Sequence, residues 1–162
     1  MNKDAAVPFS ICAAQAGDEG AIVALLRELA DYERASGFAL TEVAVLRDLI
    51  GENRVAHCDL VFVGDAPAAI VVWFSVYRSF GAARGLCVED LYFRPAFRRQ
   101  GLGAKLLARL AKMAPADDGF LEWRVLDWNG KAMAFYEELG ARVVEDWVTY
   151  RLTGEDLERL AS

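Results

Sequence analysis

Residues 89–104 have the sequence EDLYFRPAFRRQGLGA, and this stretch decides the fold. Its beginning is rich in aromatic and apolar residues, which favours a strand, and Pro95 interrupts that pattern. Gly101 and Gly103 follow, and leucines recur at helical spacing from residue 102 onward. The stretch therefore predicts a strand, a glycine turn and a helix. Backbone amides at such a turn bind phosphate groups well, because the first N–H groups of a helix have no partner within it.

The glycine turn does not fit the two common nucleotide-binding loops. A dinucleotide-binding fingerprint needs a third glycine in an early strand-helix-strand unit, whereas this turn comes after at least three predicted strands of an antiparallel run. A Walker loop needs Gly-Lys-Ser/Thr, and Gly103 is followed by Ala104. By itself, the pattern is also compatible with a tight connection that binds nothing.

Hydrophobic periodicity and turn residues predict a single domain over 1–162 with an α/β (α+β) fold. Its centre is a mixed, mostly antiparallel sheet of six to seven strands flanked by helices, with the glycine turn leading into the central helix. The strands are predicted at 10–13, 58–63, 68–77, 85–93, 120–126 and 143–152. Helices are predicted at about 18–34 and 41–51, after the glycine turn, from Asn129 to the stop at Gly140, and after Thr153. Residues 35–40 then form an exposed loop, which is a suitable wall for a substrate site.

Composition excludes several classes of protein. The net charge of −6 disfavours binding to nucleic acid, and the longest apolar runs are too short to cross a bilayer. With no signal-peptide core after the first residues, we expect a cytoplasmic protein that binds no membrane. Cys12, Cys58 and Cys87 are widely spaced, which argues against a disulfide framework or a zinc site, and no metal is expected.

Two motifs together resemble the GNAT superfamily of N-acetyltransferases. Arg98, Gly101 and Gly103 fill the acetyl-CoA motif [Q/R]-x-x-G-x-[G/A], and residues 126–141 are similar to the second signature, N-x-x-A-x-x-F-Y-x-x-x-G. The resemblance implies acetyl-CoA as co-substrate. It also implies that the backbone of Arg98, Arg99, Gln100, Gly101, Leu102, Gly103 and Ala104 holds the CoA pyrophosphate, that Leu91, Tyr92 and Phe93 bind the pantetheine arm, and that Asn129 and Tyr136 touch CoA.

Further blocks resemble the diamine (spermidine/spermine) acetyltransferase branch. They lie at 28–33, 89–92 and 126–129 and at Trp147, and the similarity covers about residues 11–161. This branch implies a homodimer and a groove for a small cation. The substrate-binding residues that it implies are Tyr32, Glu33, Asp90 and Trp147, with Glu122 nearby.

Amine acetylation needs a base and an acid, because an ammonium group is not a nucleophile and the departing thiolate must be protonated. The resemblance makes Glu89 the general base, acting through ordered water, and Tyr136 the general acid. The ordinary alternatives are an edge-strand carboxylate for Glu89 and core packing for Tyr136. By strand alternation, Asp90 is expected on the face of the sheet opposite Glu89. The single histidine, His57, is expected to have a surface or structural role.

One loop departs from the diamine branch. Where those enzymes carry an Asp and a Trp, this chain has Arg78 and Arg84 around Phe80. An arginine repels a polyamine and can instead hold a carboxylate, so a lysine analogue becomes a candidate substrate. The expected function is acetyl-CoA-dependent N-acetylation of a diamine, a polyamine or a lysine-like amine, by direct transfer in a ternary complex. The alternatives are acetylation of a protein N-terminus or an antibiotic, and a non-catalytic acyl-CoA sensor.

Overall fold

The computed structural model describes residues 8–115, 118–144 and 148–162. Trp147, which we predict to bind substrate, lies outside these residues. Contacts divide the chain into two compact units, Met1–Arg124 and Val125–Ser162, and each is considered by itself. The single domain over 1–162 stays a prediction.

Five strands form one sheet in the described part of the chain, in the order β1-β2-β3-β4-β5. They are β1 (Phe9–Ala13), β2 (His57–Val63), β3 (Ala66–Arg78), β4 (Ala83–Phe93) and β5 (Phe120–Trp123). The first four pair antiparallel, and β5 pairs parallel to β4. The predicted mixed, mostly antiparallel sheet is confirmed.

The predicted strand count is too high for the described residues. In the segment 143–152, the described residues 143–144 and 148–152 are not in a strand. An alternating apolar pattern shows that a segment could be half buried, but a strand also needs a neighbour to accept its backbone hydrogen bonds. The pattern does not provide that neighbour.

The helices lie close to their predicted positions. They are α1 (Glu19–Glu33), α2 (Glu42–Val45), which continues as a π-helical turn at Leu46–Ile50, α3 (Leu102–Met113), α4 (Gly130–Glu138) and α5 (Gly154–Ala161). A 3₁₀ turn at Pro95–Phe97 joins β4 to the glycine turn. Thr41 begins α2 as predicted, since its hydroxyl accepts a hydrogen bond from the N–H of Ala44 at 3.2 Å.

One face of the sheet, here called the α1 face, carries the main core. Ile22, Leu25 and Leu29 of α1 are buried in one cluster with Ile70 and Val72 of β3. Their spacing on α1 puts them on one side of the helix. Even-numbered residues of β3 therefore face α1.

The central helix α3 lies on the opposite face. Asp59 of β2 is almost fully buried, and its Oδ2 accepts a hydrogen bond from Nε of Arg109 on α3 at 3.2 Å. Asp59 stands opposite Val71, an odd-numbered residue of β3. The two faces are thus covered by different helices, and the residues of β4 are divided between them.

The start of β4 accepts only a glycine. A Cβ atom at Gly85 would lie 2.5 Å from the ring of Phe120 on β5. We expect Gly85→Ala to displace that ring and to lower the free energy of unfolding by about 1–3 kcal/mol. Gly81→Ala is the matched control, because its nearest neighbour would be 4.0 Å away. Thermal unfolding of both variants measures the difference, and equal stabilities would contradict this account of Gly85.

Candidate active site

A β-bulge in β4 carries the two carboxylates that the sequence singled out. Val72 of β3 stands opposite Asp90, whereas the next residue, Trp73, stands opposite Val88. Glu89 is therefore an extra residue in β4, and it resets the alternation of side chains along the strand. Asp90 shares the α1 face with Val72, and Glu89 shares it with Cys87, two residues earlier. The expectation that Glu89 and Asp90 lie on opposite faces is wrong, because the bulge brings both to one face.

Beyond the bulge, one edge of β4 has no strand beside it in the described part of the chain. The pairing with β5 ends at Val88. The N–H of Arg94 donates to the carbonyl of Ala68 on β3 at 3.0 Å. Because backbone groups alternate in direction along a strand, those of Leu91 and Phe93 point away from β3. This edge can pair with an extended ligand that carries amide groups.

The glycine turn has the geometry of an anion site. Gly101 has φ +70°, in the left-handed region, and a Cβ there would meet open space, so the backbone conformation and not crowding requires glycine. The first backbone hydrogen bond into α3 runs from the N–H of Lys105 to the carbonyl of Gly101 at 3.2 Å. Three amides before it have no acceptor within the helix, and they carry the positive end of the helix dipole. They belong to Leu102, Gly103 and Ala104.

Arg98 connects the turn with α1 and β4. Its Nε donates to the carbonyl of Phe93 at 2.8 Å. Its guanidinium lies over the rings of Tyr32 and Tyr92, at 5.3 and 5.7 Å from their centroids. Tyr32, which we predict to bind substrate, thus contacts a residue of the predicted CoA-binding turn. Arg99 and Gln100, next in the turn, are exposed.

A cleft of about 340 Å³ opens on the α1 face beside Asp90. Its lining is mostly apolar, with three carboxylates, and consists of Leu26, Leu29, Ala30, Glu33, Ala35, Phe38, Leu40, Asp48, Leu49, Val72 and Asp90. Three of these residues come from the loop at 35–40, which was predicted to form a wall. Glu33 and Asp90 are the two predicted substrate residues that line the cleft.

Two of the three carboxylates in the cleft lack a cationic partner among the described residues. Asp48 is paired with Arg47 at 2.6 Å, which holds the pKa of Asp48 below its usual range. Burial, together with the nearby negative charges of Glu89 and Glu33, raises the pKa of Asp90 to about 6. Burial also raises the pKa of Glu33. Such a site has unused negative charge in an apolar setting, and this favours an entering cation.

Glu89 has a partner that the sequence did not suggest. Nη2 of Arg124, which directly follows β5, lies 2.8 Å from Oε2 of Glu89, and both side chains are well exposed. The two residues are 35 positions apart, so only the pairing of β4 with β5 brings them together. Arg124 lies within the strand predicted at 120–126, and the sequence did not indicate that this strand would lie beside β4.

The second unit carries Asn129 and Tyr136 on α4. Asn129 is the N-cap, since its Oδ1 accepts a hydrogen bond from the N–H of Ala132 at 3.3 Å. The ring of Tyr136 lies 5.4 Å from that of Phe135. The N-cap bond agrees with the plain structural interpretation of Asn129. Tyr136 is half-buried, and the roles predicted for both residues stay predictions.

His57 and the three cysteines, the remaining residues considered in the sequence analysis, are described by their contacts and burial. His57 begins β2 and stacks on Trp73 at 4.2 Å between ring centroids, and burial lowers its pKa. Cys58 and Cys87 are buried thiols, whereas Cys12 is exposed. Among the described residues, no group of His, Cys, Asp and Glu is arranged to hold a metal ion. No helix in the described ranges is both long and apolar enough to cross a membrane.

The family follows from a match over most of the chain. A family model described as the acetyltransferase (GNAT) family matches residues 22–141, which include α1, the bulge, the glycine turn and α4. The chain belongs to the GNAT acetyltransferase family. Enzymes of this family use acetyl-CoA, and the protein is an amine N-acetyltransferase.

Individual relatives agree with this assignment. The thialysine N-epsilon-acetyltransferase of Sus scrofa is 37% identical over 91% of this chain and 94% of that protein. A human spermidine/spermine N(1)-acetyltransferase-like protein is 30% identical over 94% of this chain, which is 24% of that protein's length. Both fit the diamine acetyltransferase branch. An integron cassette protein of V. cholerae has the same fold, with a TM-score of 0.76 at 20% identity over 94% of this chain and 97% of that one.

The raised pKa of Asp90 predicts that the stability of the folded protein depends on pH. Because the pKa of this carboxyl is raised in the folded protein, its favourable contribution is present below the unfolded pKa and is lost as the pH rises through about 6. We expect Asp90→Asn to be more stable than the wild type at pH 8, by on the order of 2 kcal/mol, and equally stable near pH 4. Denaturant unfolding at both pH values measures this. Glu52→Gln, at an exposed position, is the control, and a pH-independent effect of Asp90→Asn would contradict the argument.

Gly101 allows a test of the turn. Alanine in the left-handed region is strained by about 1–2 kcal/mol, so Gly101→Ala should shift the amides of the turn and weaken CoA binding about tenfold. Gly64→Ala, with φ +60° and open space around it in the β2–β3 turn, imposes the same strain elsewhere. Calorimetric titration with CoA compares the two variants. Equal CoA affinities would show that the glycine turn does not bind CoA.

Proposed function

We propose that the protein transfers the acetyl group of acetyl-CoA to the primary amine of a small cationic metabolite, directly within a ternary complex. The candidate substrates are a diamine, a polyamine or a lysine-like amine. The observation that carries this proposal is the pair Asp90 and Glu33, two partly buried carboxylates without a cationic partner among the described residues. They line an apolar cleft beside the bulge that carries Glu89.

The donor side of the proposal rests on the glycine turn and on the open edge of β4. Amides at the start of α3 suit a diphosphate, and the backbone groups of Leu91 and Phe93 suit the amide-bearing arm of CoA. The thioester, when bound, supplies the activated acetyl group. A ligand that occupies both features runs from the turn toward Glu89, because β4 leads directly from the bulge to Pro95.

The acceptor side rests on charge and shape. An ammonium ion that enters the cleft meets the carboxylates of Asp90 and Glu33 and the apolar side chains around them, including Phe38. An aromatic face and unpaired carboxylates both favour a cation in a partly desolvated site. A flexible alkyl amine fits such a lining better than an anion does. The similarity to a thialysine N-epsilon-acetyltransferase and to a spermidine/spermine N(1)-acetyltransferase-like protein supports the same class of substrate.

We assign the proton transfers to Glu89 and Tyr136. Glu89 takes the proton from the ammonium group through water, and its exposed carboxylate at the bulge is accessible for this step. Tyr136 protonates the departing thiolate, for which a phenol of ordinary pKa about 10 is suited. Asn129 and the turn residues hold the donor in this assignment. A homodimer is part of the proposal, as in the diamine branch.

The proposed function is tested by release of CoA thiol. Purified protein is incubated with acetyl-CoA and, separately, spermidine, putrescine, L-lysine, thialysine and a peptide with a free N-terminus. We expect rapid thiol release with at least one of the small amines and little with the peptide. Binding of CoA by calorimetry without turnover of any amine would overturn the proposal and favour an acyl-CoA sensor.

Tyr136 has its own test. If its phenol protonates the thiolate, Tyr136→Phe removes an interaction that matters only in the transition state, so kcat should fall by 10²-fold or more, on the order expected for general acid catalysis, while KM changes little. Phe135→Leu on the same helix is the control for packing. An unchanged kcat in Tyr136→Phe would exclude Tyr136 as the acid.

A further inference from the structure

An exposed ion pair lies on the α1 face near the bulge, between the end of β3 and β5. Arg78, at the end of β3, pairs with Glu122 on β5, and its guanidinium lies 5.0 Å from the ring centroid of Phe120. The side chains of Arg78 and Glu122 are 45% and 32% exposed.

The register of the sheet places the pair on the same face as the carboxylates of the site. Arg78 is an even-numbered residue of β3 and so shares the face of Val72, which stands opposite Asp90. Glu122 is in register with Cys87, which stands opposite Phe74 on that same face. Arg84, in contrast, stands opposite Tyr77 and projects to the other face.

The spacing along β4 matches a short alkyl chain. Glu122 is level with Cys87, and Glu89 lies two residues further along β4, about 7 Å away at the usual rise of a strand. The stem of a lysine side chain, with four methylene groups, spans a similar length. A molecule with charges at both ends can therefore bridge the ion pair and the bulge.

The pair also presents both signs of charge at one place. A diamine would find one carboxylate there, Glu122, next to an arginine that repels it. An α-amino acid carries a carboxylate and an ammonium group on one carbon, and these are complementary to Arg78 and Glu122 respectively. An exposed ion pair contributes little to stability, so its members can exchange partners at small cost. The planar guanidinium can also bind a carboxylate through two hydrogen bonds.

We propose that Arg78 and Glu122 together bind the α-carboxylate and α-ammonium groups of an amino acid whose side chain ends in the primary amine that is acetylated. This inference rests on the proposed function and narrows its substrate class. The distal amine then lies at the bulge beside Glu89 and Asp90. Arg78 acts as a specificity-determining residue and takes no part in proton transfer.

The test uses pairs of substrates that differ only by a carboxylate. L-lysine is compared with cadaverine, and L-ornithine with putrescine, by thiol release with acetyl-CoA. The wild type should favour the amino acid of each pair in kcat/KM. Arg78→Ala should lower kcat/KM for the amino acids by about 10- to 100-fold, the range expected for loss of a charge-assisted hydrogen bond, and should leave the values for the diamines unchanged or raised.

Matched variants keep the result interpretable. Arg84→Ala removes an arginine from the same hairpin but from the opposite face, and it should leave all four substrates unaffected. Arg78→Lys should retain part of the preference for amino acids over diamines. It keeps the positive charge but cannot form the two parallel hydrogen bonds of a guanidinium with a carboxylate. Thermal unfolding should be nearly unchanged in Arg78→Ala, since the pair is exposed.

Two outcomes would overturn the inference. One is a wild type that prefers the diamines, and the other is an Arg78→Ala variant that loses activity equally on both members of each pair. Failure of the proposed function looks different, because then no amine of either kind releases thiol.

Discussion

The single extra residue in β4 is the constraint on which the site depends. If β4 had no bulge and Glu89 stood opposite Val72, strict alternation would place Asp90 on the α3 face, away from Glu33 and from the cleft. With it, two consecutive carboxylates share the α1 face. The pairing of β4 with β5 ends at Val88, one residue before the bulge. The side-chain alternation of β4 therefore shifts at nearly the same point at which one edge of the strand becomes unpaired. The proposed base, the proposed cation site and the open edge of β4 thus all lie at or next to one local irregularity.

The carboxylates of the cleft, unlike others in the same unit, are kept at a cost to the stability of the folded protein. Asp59 and Glu28 are carboxylates of the same unit that have arginine partners, Arg109 and Arg94. Asp90 and Glu33, in a partly buried position, have no such partner among the described residues, and the pKa of each is raised. The folded protein therefore keeps unfavourable charge in the cleft. In the proposed function, an arriving cation relieves this unfavourable charge, and a cost in folding is then recovered as affinity for the substrate.

Much of the fold was predictable because its elements depend on local patterns. The stripe of α1, the turn between β2 and β3, and the glycine turn are all set by residues that are close in sequence. The bulge was not predictable, since Val88 and Leu91 are apolar on both sides of it and a one-residue shift leaves no trace in such a run. The strand predicted at 143–152 failed in its described residues for a related reason. Its pattern shows amphipathicity, but pairing depends on a neighbour that the pattern does not specify.

The sequence named candidate residues for the site but did not reveal their pairings. Glu89, Asp90 and Glu33 were identified through motifs, and the loop at 35–40 through its position. Arg124 is 35 residues from its partner Glu89, and the pairing of β4 with β5 brings these two together. Arg78 is 44 residues from its partner Glu122, and this contact also requires the pairing of β3 with β4. Long-range ion pairs of this kind leave no periodic signal in a single sequence.

The position of Arg98 has a thermodynamic consequence for the proposed function. One guanidinium holds the carbonyl of Phe93 and lies over Tyr32 and Tyr92, so the donor half and the acceptor half of the site meet in a single side chain. Occupancy of the glycine turn by a diphosphate changes the charge that this guanidinium faces, and Tyr32 at the end of α1 is in direct contact with it. Under the proposed function, the two substrates are therefore energetically coupled, and each one changes the affinity of the enzyme for the other by the same factor.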